Sequence, residues 1–103
     1  MSYQSSLEQA IRGRKVISFS YVKEGKQSGN RIGNPHALFY NKKGDVLCDI
    51  YQTSGATDEY DLPSWRQFTV EDIDRLSVSD ASFSIAQGYN PSSDKYKDSI
   101  VQI

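Results

Sequence analysis

Cysteine, histidine and tryptophan each occur once in the 103 residues, as Cys48, His36 and Trp65. A lone thiol excludes an intramolecular disulfide and a cysteine-based zinc cage, and it suits a reducing compartment. One histidine leaves no histidine-rich metal site, so neither metal nor cofactor is expected. It also restricts any Ser-His-Asp arrangement to His36, with Asp45 or Asp49 to orient it. No apolar run approaches the ~18 residues of a membrane span. The opening MSYQSSLEQA has no apolar core of a signal peptide. The expectation is a cytoplasmic chain with no membrane partner. Neither sign of charge dominates, with 12 Lys+Arg against 13 Asp+Glu. A non-specific duplex binder would be strongly basic.

Catalytic motifs are also missing. There is no Gly-x-Ser-x-Gly elbow, and neither Gly25-x-x-x-Gly29 nor Gly29-x-x-x-Gly33 is followed by the Lys-Ser/Thr of a phosphate loop. Cys48 lies inside an apolar run, where an inert buried thiol is expected. Asp58, Glu59 and Asp61 cluster without paired spacing and read as a solvated face. The chain is therefore not expected to be an enzyme.

What is present is aromatic content and alternation. Aromatics make up 12%, seven of them Tyr, which argues against disorder. Ser5-Ser6-Leu7-Glu8 reads as a helix start, with Ser5 as cap and Glu8 bonding back. Leu7, Ala10, Ile11 and Arg14 then share a face up to a stop near Gly13. From Lys15 the period becomes two, predicting a strand through Val22. Glu24–Asn30 is polar and turn-rich, a hairpin loop. Extended stretches follow over 31–40, broken at Asn34-Pro35 by an edge, bulge or bend, and over 46–51. Residues 53–64 read as a surface loop. Short strands are expected at 65–68 and 75–78, with a turn over 70–73 between them. Ser93 or Asp94 is placed to cap a last short helix bearing Tyr96, Ile100 and Ile103. The reading is mainly β: one domain over 1–103, with a helix at 5–14, a barrel over 15–80 and a C-terminal extension over 81–103. Five short strands favour a small SH3-like or Sm-like five-stranded barrel, since closure removes exposed edges.

Charge is uneven along the chain. Residues 1–50 carry a net +4 and residues 51–103 a net −5. Either a basic half faces an anion, or the two halves interleave and neutralise each other. Arg31, His36 and Arg66 sit in strand patterns among Tyr21, Phe39, Tyr40, Tyr51 and Trp65. That mixture suits a nucleotide, with phosphate on Arg and bases on rings. On pattern alone, the leading account is that the rings fill a small barrel while the Arg heads reach water.

The runs Ala10-Ile11-Arg12-Gly13-Arg14-Lys15-Val16-Ile17-Ser18-Phe19-Ser20-Tyr21, Arg31-Ile32-x-x-Pro35-His36-x-Leu38 and Trp65–Val78 resemble the WYL domain family. Phe83, Gly88-Tyr89-Asn90-Pro91 and Asp94 look like the ending of its short stand-alone members. The stretch that names the family falls at Asp45-Val46-Leu47, which keeps the Leu. The resemblance implies an SH3-like, Sm-like fold, cytoplasmic and bacterial. It also implies a regulatory module, often tied to transcription, that senses a nucleic-acid-derived or nucleotide-like anion through a basic patch. Only about 14 residues precede the first expected strand, so no helix-turn-helix domain is expected. Positions matching the ligand-lining set are Tyr21, Arg31, His36 and Arg66, with Tyr51 or Trp65 as stacking platforms. The competing expectation is a protein-interaction module, using an aromatic groove and the acidic loop Asp58-Glu59-Tyr60-Asp61 to bind a regulatory partner. In it, the C-terminal segment covers the barrel or pairs two copies as a homodimer.

Overall fold

The computed structural model describes residues 3–21, 29–56 and 62–103. Most of the expected hairpin loop and all of Asp58-Glu59-Tyr60-Asp61 lie outside the described residues.

Helix α1 (Gln4–Gly13) buries Leu7, Ala10 and Ile11, the apolar face expected from the spacing. Tyr3 rather than Ser5 occupies the N-cap position, and no side chain bonds there. Arg14 closes the helix in the left-handed region at φ 52°, and its N–H reaches the Ile11 carbonyl. A helix this short is marginal alone, and α1 is held by packing on the sheet.

Six antiparallel strands form that sheet: β1 (Lys15–Tyr21), β2 (Asn30–Tyr40), β3 (Val46–Gly55), β4 (Ser64–Thr69), β5 (Ile73–Ser82) and β6 (Ser99–Gln102). Their order is β4-β3-β2-β1-β5, and β6 pairs with β2. The loop expected from residue 53 instead begins as strand through Gly55. The turn at 70–73 is a single 3-10 turn over Val70–Asp72.

Strand β2 is the spine. One edge pairs with β3 over nearly its whole length; the other is shared, with β1 opposite residues 30–33 and β6 opposite 37–39. Pro35, which has no N–H to donate, falls in the gap between those two pairings. The register against β3 shifts between Pro35 and Ala37, so His36 is the extra residue of a bulge. Of the edge, bulge or bend expected at Asn34-Pro35, the structure has a bulge just after it, and the bulge sets Ala37 on the same face as His36.

The sheet curls. Phe19 on β1 and Phe68 on β4 lie three strands apart, about 14 Å in a flat sheet. Their ring centroids are 5.0 Å apart, edge to face, and Tyr21 meets Phe68 at 4.8 Å. The main core of Leu7, Ile11, Ile17, Phe19, Leu38, Cys48, Ile50 and Phe68 fills the concave side. The expectation of a closed five-stranded barrel is corrected: there are six strands, and no ladder joins β4 to β5 among the described residues.

The expected C-terminal helix is also corrected. Residues 94–96 make one 3-10 turn and residues 99–102 are strand. Phe39, Ala37 and Tyr96 form a second small core, with Leu47 and Tyr89 against it. The segment after β5 thus covers the convex side of its own sheet. No helix among the described residues is long and apolar enough to cross a membrane.

Candidate functional site

Directly opposed residues in a ladder share a face. Register therefore sorts the six candidate residues into two groups. Phe19 is opposite Arg31, Ile50 opposite Arg66, and Gln52 opposite both Gly33 and Ser64. Arg31 and Arg66 accordingly lie on the concave face with the core. Tyr21 joins them through its contact with Phe68. Asn34, Tyr51 and Trp65 are opposed on the other face, as are Ala37, Asp49 and Gln67.

On the concave side, Arg31 is only 2% exposed. Its guanidinium carbon sits 5.3 Å from the Phe68 ring centre and 5.7 Å from that of Tyr21, within cation–π range. Its Nη1 donates to Gln52 Oε1 at 3.3 Å. Gln52, fully buried, spends its own amide hydrogens on the carbonyls of Ser54 (3.1 Å) and Ala56 (2.8 Å). That fixes which end of the amide faces Arg31. The Tyr21 hydroxyl accepts the Thr69 backbone N–H at 3.0 Å, tying β1 to β4 across the curl. Arg66 is half-buried and donates to the Trp65 carbonyl at 3.2 Å. Asp49 is not its partner, because the two lie on opposite faces.

On the convex side, His36 is fully buried. Its Nε2 accepts the Ala86 N–H at 3.0 Å, so Nδ1 carries the proton and donates to the Asn34 carbonyl at 2.8 Å. Trp65, Phe83 and Tyr89 pack on the ring with centroids 4.7, 5.0 and 5.2 Å away. Burial lowers its pKa below the ordinary histidine value. Both nitrogens are occupied, so neither Asp45 nor Asp49 orients the ring for proton transfer. The Trp65 indole N–H donates to the Gln87 carbonyl at 2.9 Å, and Trp65 meets Tyr51 edge to face at 5.3 Å. His36, Tyr51 and Trp65 therefore form an aromatic box away from the arginines. Cys48 is buried, which pushes its thiol pKa far upward.

Sequence reasoning missed a further group here. Asp49 is 3% exposed, and its Oδ2 accepts the Tyr96 hydroxyl at 2.6 Å and the Lys95 ammonium at 2.7 Å. Burial first, then the bond to Asp49, raises the Tyr96 pKa strongly. The signal was a carboxylate in the middle of the apolar run Val46–Tyr51, a place a charge occupies only with a partner. Beside this group a cleft of about 310 Å³ is lined by Trp65, Gly88, Tyr89, Ser93, Lys95 and Tyr96. No group of three or more His, Cys, Asp or Glu able to hold a metal occurs among the described residues.

No protein-family model, no curated protein and no solved structure matches this chain.

Proposed function

We propose that the chain is a non-catalytic, ligand-sensing regulatory module of the WYL type, built on an SH3-like roll. It binds a nucleic-acid-derived or nucleotide-like anion at the β4 edge of the concave face, beside the core that fills that face, where Arg66 is half-buried. The observation that carries this reading is that Tyr21, Arg31 and Arg66 share that face. Arg31 stands on the rings of Tyr21 and Phe68 and is oriented by Gln52. In this reading Arg31 is a fixed positive floor, and half-buried Arg66 is the arm that meets a phosphate by charge-assisted fork contacts. The curl that brings β1 against β4 supports the SH3-like assignment.

The test is fluorescence anisotropy of short labelled single-stranded RNA and DNA at low and moderate salt. Arg66→Ala is the informative variant, because Arg31 is part of the core packing and its loss also costs stability. Binding that weakens with salt and falls at least tenfold in Arg66→Ala is expected. Absence of binding at high micromolar protein would turn the reading toward a protein partner.

A further inference from the structure

Lys95 and Asp49 form an unequal pair. The Asp49 side chain is 4% exposed and fixed by the Tyr96 hydroxyl, whereas the Lys95 side chain is 48% exposed. The carboxylate cannot follow solvent, but the ammonium can leave. Its departure alone would strand a buried charge, which is costly. Lys95 can therefore leave readily only if another cation takes its place.

The surroundings suit such a cation. The Lys95 ammonium lies 5.2 Å from the Tyr96 ring centre. Tyr89 packs 5.8 Å from Tyr96 and stacks on Trp65 at 6.1 Å. All three rings line the 310 Å³ cleft, a volume at the small end of the range for ligand pockets, about 300–1,000 Å³. Aromatic faces with a carboxylate behind them recognise ammonium groups. A neighbouring cleft of about 400 Å³, with Phe39 and Leu47 in its wall, also has Lys95 as a lining residue. Its remaining charges balance, Lys42 and Lys97 against Asp94 and Asp98. Lys95 thus stands between an aromatic chamber and a partly apolar one. Withdrawing it would join them into room for a head group and an alkyl stem.

We propose that this convex-face cleft is a binding site for an alkylammonium group, and that Lys95 is the protein's own occupant, displaced by the ligand. The site lies on the face opposite the arginines, so it stands or falls separately from the anion reading. The ligand chemistry is shared by a free primary amine and by a lysyl side chain of a partner.

Trp65, the sole tryptophan, lines the cleft and reports on it directly. The full chain and its Lys95→Ala variant are titrated with n-butylammonium chloride, and separately with a blocked pentapeptide bearing one central lysine. Sodium chloride at matched ionic strength is the control. A saturable change in Trp65 emission is expected, at least tenfold tighter in Lys95→Ala than in the natural chain. Because that variant leaves Asp49 uncompensated, the amine should also raise its melting temperature by several degrees where sodium does not. Lys95→Gln, which keeps a donor for Asp49, serves if Lys95→Ala does not fold. Asp49→Asn on either background should remove the effect while leaving an acceptor for Tyr96. Tighter binding of the peptide than of the free amine would assign the ligand to a partner's lysine; equal binding would assign it to a small amine. A response to both probes no different from sodium chloride, in the Lys95 variant that folds, would overturn the proposal.

Discussion

His36 has its Nε2 lone pair committed to the Ala86 N–H, and protonating that nitrogen would replace an acceptor by a donor facing a donor. Around the ring, Asp49 favours the charged form and Arg14 opposes it, but burial outweighs both. The unfolded chain takes up a proton near pH 6.5, the ordinary histidine value, while the folded chain resists. Stability is therefore full above that pH and falls as pH drops through it toward the lower folded value. No other histidine confuses the measurement. Urea unfolding should show a loss between pH 7.5 and 5.5, and His36→Gln should flatten it. Gly33 tests packing at the same scale. A Cβ there would lie 2.6 Å from Ile50 Cγ2 and 2.9 Å from the Tyr51 carbonyl oxygen. Gly33→Ala should cost about 1–3 kcal/mol by overpacking; a cost below ~0.5 kcal/mol would mean the strands can separate there. For Cys48, the raised thiol pKa and full burial predict thiol-reagent labelling no faster than global unfolding. At this scale the residue types of the candidate site were legible and their grouping was not. Alternation alone would place neighbours in the run 31–36 on alternate faces. That alternation already turns His36 away from Arg31; the bulge, which depends on pairing with β3 and which no local pattern records, instead keeps Ala37 on the same face as His36.

At the scale of elements, β2 explains both the success and the failure of pattern reading. The first strands follow from two-residue alternation and clear turn residues, and their bounds fall within a few positions of the expected ones. The C-terminal segment does not. Tyr96, Ile100 and Ile103 have helical spacing, but β1 leaves the β2 edge at Gly33 and exposes its donors and acceptors beyond that point. An extended β6 satisfies them, and the Ile103 N–H continues to the His36 carbonyl at 3.1 Å. Tertiary hydrogen bonding overrides weak local preference. The Tyr89 hydroxyl donates to the Ile103 main-chain oxygen at 2.9 Å and accepts from the Gln102 amide at 3.2 Å, closing the segment on itself. Ending the chain after Asp98 would remove partly buried Ile100, Val101 and Ile103 and uncover the core they pack against. It should cost about 2–4 kcal/mol, taking roughly half the value of full burial for each side chain. Denaturant unfolding of the truncated chain checks this, and a midpoint unchanged from the full chain would contradict the role given to β6.

Over the whole molecule, the two charge halves interleave. Strands of the acidic half pair with strands lying wholly or partly in the basic half: β4 with β3, which spans the division, β5 with β1, and β6 with β2. The basic half is therefore not a separate face, and any anion site must be built locally. The curled sheet provides two sides for this. The concave side holds Arg31 against aromatic rings and Arg66 at the edge strand, and the convex side holds an aromatic box over a buried carboxylate. Alternation sets neighbours such as Trp65 and Arg66 on opposite sides, but matching those sides between strands needs register, and without it all six candidates read as one patch. The central claim is that the concave side contacts phosphate through Arg66. It is tested most directly by the salt dependence of single-stranded oligonucleotide binding in the natural chain and in Arg66→Ala. Each phosphate contact contributes about 0.7 to the slope of log affinity against log salt. Loss of one contact should reduce the magnitude of that slope by about 0.7, alongside the tenfold or greater fall in affinity. An unchanged slope and affinity in a folded Arg66→Ala would contradict the account.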